Sequence, residues 1–255
     1  MKYAIVVGLA ACLLPGSRPA AAHGLEELNT VCRAGSSYDL SLTPDALVFE
    51  RAEPVPHRVS WQRGELRVDG VRVALDTEGR DRLVLFDQEL RALVPRVKAV
   101  ALRGVDLLQA SVRSQFDELA PGAEARTQVH QRLAQAATAL RQRIERSTST
   151  RDWQSAAFEA EIEGVIDDVA KVLAQDTAQR SVAAALDGDV QGALELPAQA
   201  GTLAAQLQPR IERTLQHLRP QVQALCPSLQ RLAELQDGVR DGHGRALGLL
   251  QIEAP

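Results

Sequence analysis

The chain has 255 residues, 45% of them hydrophobic and only 3% aromatic, with a net charge of −4. That composition excludes a disordered chain, and scarce aromatics with abundant Leu, Val and Ala favour helix packing over a sandwich or barrel. The mild acidity lacks the basic footprint of nucleic-acid binding, so no nucleic-acid partner is expected.

Residues 1–22 have the three parts of an export signal. Met1-Lys2 is the positive start, Tyr3 to Leu14 the apolar region, and Ala20-Ala21-Ala22 the small-residue cleavage site. The apolar part is too short to span a bilayer, and Pro15-Gly16 would break a helix there. Cleavage after Ala22 removes Lys2 and Arg18 and takes the net charge from −4 to −6. A competing reading takes Leu9-Ala10-Ala11-Cys12 as a lipoprotein box with Cys12 lipidated. No later apolar run reaches the roughly 20 residues of a transmembrane helix. The expected location is the periplasm.

With Cys12 removed, Cys32 and Cys226 remain, and two cysteines in an exported chain commonly pair. The bridge closes a loop of about 195 residues, on the order of 5 kcal/mol in the chain-entropy account. The alternative is two separate buried thiols.

Residues 23–76 read as a small β region. Leu40–Phe49 contains two strands around a turn at Pro44-Asp45, and Pro54 and Pro56 interrupt before Arg58-Val59-Ser60-Trp61. Asp69-Gly70 joins Glu65–Val68 to Val71–Leu75 as a hairpin. Alternation puts Leu66, Val68, Val71, Val73 and Leu75 on the core side, with Arg67 and Arg72 outward. Asp76 and Thr77 are capping residues for the first long helix.

Residues 77–237 are helical. Leu83, Phe86, Leu90, Val94, Val97, Ala101, Val105, Leu108, Val112, Phe116 and Leu119 recur at gaps of three or four, one face of a long helix. Pro95 predicts a kink or a break and restart. A second helix spans about 123–147 with the stripe Val129, Leu133, Ala136, Leu140 and Ile144, ending in the polar turn Ser147–Thr150, where Thr150 or Asp152 caps the next helix. A third runs from about Trp153 to Leu186 with Trp153, Ala157, Ile162, Ile166, Val169 and Leu173 inward. A less regular piece with Pro197 and Gly201 leads to a last stripe from Leu203 to Leu232, divided by Pro209, Pro220 and Pro227. Residues 238–255, with Gly242-His243-Gly244, are expected to form a flexible tail.

The whole is therefore an α+β protein: a small N-terminal antiparallel sheet on a body of long amphipathic, coiled-coil-like helices. Several segments look like one known group. The early Cys32, Thr43-Pro44-Asp45, the Glu65–Gly70 hairpin, Arg82–Pro95 and Leu225-Cys226-Pro227-Ser228-Leu229 together resemble the YggN-like exported proteins of proteobacteria. That resemblance covers most of the mature chain. It implies the periplasm, supports pairing of Cys32 with Cys226, and supplies no catalytic or ligand residues.

No common catalytic signature is present: no phosphate-cradling glycine loop with lysine, no nucleophile elbow, no His-Glu-x-x-His. His23, His57, His130, His217 and His243 lack ligand spacing, and no metal or cofactor is implied. His23 as a new N-terminus could chelate copper with a second histidine, but nothing identifies one. Glu159, Glu163 and Asp167 recur at gaps of four, with Glu161 and Asp168 nearby. They read as a cation or basic-partner site, or as a solvated face eased by Lys171 and by Arg132, Arg141, Arg143 and Arg146. The leading functional expectation is a non-enzymatic envelope protein acting by contact with a protein partner or by self-association. The competing expectation is a small-ligand carrier, or an enzyme whose site combines distant residues. Flat, exposed apolar helix faces favour the first, a deep pocket with convergent polar groups the second. The intact mass of the exported protein reads the leader directly: a chain beginning at His23 without adduct is expected, and a diacylglyceryl group on Cys12 overturns that reading.

Overall fold

The computed structural model describes residues 31–119, 121–154 and 156–252. The expected export signal, Cys12 and His23 lie outside the described residues, as do the side chains of Glu159, Glu161 and Glu163. The fold is α+β. After a short strand β1 (Ala34–Gly35), five strands form an antiparallel meander in sequence order: β2 (Asp39–Leu42), β3 (Ala46–Glu50), β4 (Arg58–Gln62), β5 (Glu65–Val68) and β6 (Val71–Val73).

Turn chemistry fixes the register of this sheet. Gln62 pairs with Glu65 and Val68 with Val71, leaving two-residue loops at Arg63-Gly64 and Asp69-Gly70. All four loop residues have positive φ, between 48° and 81°. That is the type I′ geometry whose twist matches the flanking strands. The inward row is Leu47 and Phe49, Val59 and Trp61, Leu66, and Val73, all buried. Val71 departs from the expected alternation and stays 69% exposed. It opens the outermost strand beside the turn, where the covered part of the sheet has run out.

Helix α1 (Thr77–Glu118) has 42 residues, about 63 Å at 1.5 Å per residue. Asp76 caps it, its carboxylate accepting from the Gly79 N–H at 2.7 Å. The expected break at Pro95 does not occur, and the helix is continuous. Pro95 lies on the exposed face, where the Arg91 carbonyl it orphans can meet water instead. Helices α2 (Ala123–Arg146), α3 (Arg151–Gln154), α4 (Ala156–Leu186) and α5 (Val190–Gln216) follow, then α6 (Arg219–Gln223) and α7 (Cys226–Asp237). The stretch around Pro197 and Gly201 is helical rather than irregular, and Pro209 does not divide α5. Pro197 and Pro209 also lie on exposed faces. Pro220 and Pro227 do mark breaks: each sits in the first turn of its helix, the position that tolerates proline. Thr150 immediately precedes the helix after the polar turn, and Trp153 N–H donates to its carbonyl at 3.1 Å. Asp152 accepts from the Thr148 and Ser149 N–H groups, and Thr150 bonds to β2.

Two layers meet along α1. Leu83, Phe86, Leu90 and Leu93 pack under the sheet with Leu225, which caps α7, and Leu232 of α7. Farther along, Phe116 packs with Ala125, Val129 and Leu133 of α2 and Val172 of α4. Helix α4 packs on α2 and α5, and α5 returns to α1. Ile166, expected inward, is mostly exposed.

The expected flexible tail is instead part of the core. Val239, Leu247 and Leu249 are buried in the cluster beneath the sheet. Strand β7 (Gln251–Ile252) pairs antiparallel with β1, joining the two ends of the described chain. Gln236 pins the segment by accepting from the Leu250 N–H at 2.9 Å and donating to the Leu250 carbonyl. Glycines that read as flexible make tight turns here: Gly244 and Gly248 have φ of 78° and 59°. Cys32 and Cys226 form a disulfide across 194 residues of sequence, fastening the N-terminal segment to the start of α7.

Asp241 organises the last turn. Its carboxylate accepts from the His243 N–H, the Arg245 N–H and the Arg245 Nε, each at 2.8 Å. Burial pushes this carboxyl up, but the bonds from Arg245 and then His243 outweigh it and hold it below its ordinary 3.8. A depressed carboxyl stabilises the fold above its unfolded value, and that contribution disappears as pH falls through the folded value. Asp241→Asn is therefore expected to flatten the fall in thermal stability below about pH 4 that the parent shows. Melting curves from pH 7 to pH 2 check this, and parallel acid limbs in both proteins contradict it.

Candidate functional site

Strand β2 is the edge of the meander on its first side, and an uncovered edge is a pairing hazard. The turn between α2 and α3 covers it. Leu42 N–H donates to the Thr148 carbonyl at 2.7 Å and Thr150 N–H to the Leu40 carbonyl at 2.9 Å. Leu40 N–H donates to Thr150 Oγ1 at 2.9 Å, and the Ser41 and Ser149 hydroxyls meet at 3.2 Å. Arg151 closes the corner on Asp39 at 2.7 Å. This hydrogen bond, and the charge behind it, hold the guanidinium still more firmly protonated than usual.

Between this turn, the middle of α1, α7 and the C-terminal segment lies a cavity of about 710 Å³. Its deep wall is the buried row Phe49, Phe86, Leu90, Leu93, Leu232 and Leu249. Nearer the opening, Leu40, Leu42, Val94, Val97, Leu229 and Leu250 are only partly buried and leave apolar surface facing the space. Its size is within the roughly 300–1,000 Å³ of small-molecule sites.

The polar groups around it come from three elements. Lys98, half-buried on α1, donates from Nζ to the carbonyls of Glu145 and Ser147 at 2.9 and 2.7 Å. A cation there satisfies orphan carbonyls and opposes the negative end of α2. Arg91 donates to the Thr43 carbonyl at 2.7 Å and pairs with Asp87 at 2.9 Å. Arg146, in the last turn of α2, is exposed and has no hydrogen-bond or ion-pair partner among the described residues. Tyr38 donates its hydroxyl to the Pro56 carbonyl at 3.3 Å, with Arg51 stacked 4.0 Å over its ring. Burial raises the Tyr38 phenol, only partly opposed by Arg51, so it is a donor and not a base. The wall offers apolar contact, cations and hydroxyls, and the residues lining it include no histidine or cysteine.

The structure brings Cys32 and Cys226 together, and Leu229 of the cavity wall follows Cys226 by one helical turn. Of the histidines, His130 pairs with Asp117 at 3.0 Å. Among the described residues no group of three His, Cys, Asp or Glu could hold a metal ion. At the end of the acidic run, Asp168 is paired with Arg132 at 2.6 Å and Lys171 at 3.8 Å. Among the described residues no helix is long and apolar enough to cross a membrane.

A second feature lies where α4 turns into α5. Val182, Leu186, Val190 and Leu194 are all at least 60% exposed around the Asp187-Gly188-Asp189 turn. Residues 181–209 carry Asp187, Asp189 and Glu195 and no Lys, Arg or His.

A family model described as a protein of unknown function, DUF2884, matches residues 32–242. The chain belongs to the DUF2884 family. The matched span begins at the first cysteine of the disulfide and contains the five-stranded sheet and helices α1 to α7. Of the cavity wall, it leaves out only Leu249 and Leu250. No curated protein and no solved structure matches the chain.

Sequence reasoning missed the cavity because its parts are distant in sequence. The traces it left were a lysine beside an apolar stripe (Val97-Lys98) and a serine–threonine turn after basic residues (Arg143, Arg146).

Proposed function

We propose that this DUF2884 protein is an exported, non-enzymatic binding protein of the periplasm that holds an apolar small molecule in the cavity beside β2. One observation carries the reading: half-buried Leu40, Leu42, Val94, Val97, Leu229 and Leu250 converge on one half-open cleft instead of scattering over the surface. Six partly wet aliphatic side chains still have burial to gain, at about 25 cal/mol per Å² of apolar area removed from water. Lys98, Arg91 and Tyr38 are engaged in holding backbone carbonyls and an ion pair, a role of shaping and orienting rather than proton transfer. The leader at residues 1–22, the Cys32–Cys226 bridge and the resemblance to YggN-like exported proteins of proteobacteria support the compartment.

A second reading, contact with a protein partner of the envelope, is favoured by the α4–α5 turn. Its exposed aliphatic residues sit among three carboxylates and no cation, which suits an apolar segment flanked by basic residues and disfavours an anionic lipid surface. The ligand reading ranks first because the partly buried aliphatic residues converge on one concave site of ligand size, whereas four exposed side chains fall within the apolar patches that ordinary monomers carry.

The uncharged fluorescent probe N-phenyl-1-naphthylamine tests the cavity. Saturable binding with one site per chain is expected, weakened about ten-fold or more by Val94→Phe, which fills the opening. Absence of saturable binding, or an unchanged affinity in a Val94→Phe protein with parent-like circular dichroism, contradicts the reading.

A further inference from the structure

We infer that the ligand is a single-chain amphiphile whose head is an anion, with the chain in the apolar cavity and the head at Arg146 and Lys98; this rests on the cavity being a ligand site. The fold leaves positive charge uncompensated at the rim. Five charged residues line the cavity: Asp39, Arg91, Lys98, Glu145 and Arg146. Asp39 is taken by Arg151 at 2.7 Å, and Arg91 by Asp87 at 2.9 Å. That leaves two cations, Lys98 and Arg146, against one carboxylate, Glu145.

Neither remaining cation has a carboxylate within ion-pair distance among the described residues. Lys98 is the more telling. It is half-buried, and its partners are two helix-end carbonyls whose partial negative charge offsets only part of its own. Those take two of the three ammonium donors and leave one free. Arg146 leaves a whole guanidinium fork free at the same end of α2, suited to bind a carboxylate or phosphate. The carbonyls at this helix end would repel an anion if bare, but Lys98 already occupies the Glu145 and Ser147 oxygens. A neutral ligand would use only the apolar wall, and a cationic one would face Lys98 and Arg146 with Glu145 as its one partner.

Calorimetric titration of the folded protein with dodecanoate, 1-dodecanol and dodecyltrimethylammonium, each below its micelle concentration, tests the assignment. Dodecanoate is expected to bind about ten-fold tighter than 1-dodecanol, with the ammonium compound weakest. The advantage of dodecanoate should shrink as salt rises from low to physiological concentration. Arg146→Gln, a change at an exposed, unpartnered side chain, should reduce dodecanoate affinity several-fold, leave 1-dodecanol unchanged and leave the melting temperature at the parent value. Arg146→Glu should reverse the preference between dodecanoate and the ammonium compound. Equal affinities for the three probes, or an Arg146→Gln protein that binds dodecanoate like the parent, overturn the anionic head and leave the cavity standing. Displacement of dodecanoate by an equal concentration of acetate overturns the amphiphile, since the head alone would then suffice. Failure of all three probes to bind overturns the cavity as a ligand site, and the inference with it.

Discussion

Burial of one apolar stripe along α1 in two different surroundings is the constraint on which the rest of the structure depends. From Leu83 to Leu93 the stripe lies under the sheet, and near Phe116 it lies among helices. Each buried leucine or phenylalanine is worth about 1.5–3 kcal/mol, so both halves of the stripe contribute to holding α1 in place. A sheet on a helix and a helix on a helix do not share one contact surface, however, and a single continuous element meets both only across a seam. Val94 and Val97 occupy that seam, half-buried, and they line the cavity. The cavity arises from the architecture rather than from a local motif.

Two devices keep the seam from collapsing or opening. On one side, the Ser147–Thr150 turn pairs with β2, so the sheet edge ends in hydrogen bonds instead of bare amides. Lys98 ties that turn back to α1 through the end of α2. On the other side, Leu249 and Leu250 descend from a C-terminal segment held by Gln236 and by β1. The Cys32–Cys226 bridge acts behind both, fixing β1 against α7 and restricting the unfolded chain across 194 residues.

Legibility tracks how local each physical cause is. The Asp69-Gly70 turn, the range of α2 and the breaks at Pro220 and Pro227 are readable because a few adjacent residues decide them. Pro95, Pro197 and Pro209 do not break their helices because a proline on a solvent-facing side costs less than one in a packed interior, and sequence alone does not say which side faces water. The segment after Gly238 misleads for a related reason. Glycine serves a flexible tail and a positive-φ turn equally well, and only burial of Val239, Leu247 and Leu249 tells them apart. The pairing of Cys32 with Cys226 is expected from compartment and count. The cavity is not legible at all: its walls come from β2, α1, α7 and the C-terminal segment, and its rim from a turn that reads as a helix cap.

Whether binding resides in the seam or at the α4–α5 turn is decided most directly by methyl NMR. The protein would be labelled at Leu, Val and Ile methyl groups and titrated with unlabelled dodecanoate. The account predicts saturable shifts at Leu40, Leu42, Val94, Val97, Leu229 and Leu250, with Ile166, Val182, Leu186, Val190 and Leu194 unmoved. Shifts confined to the second group, with the first unmoved at saturation, would contradict it.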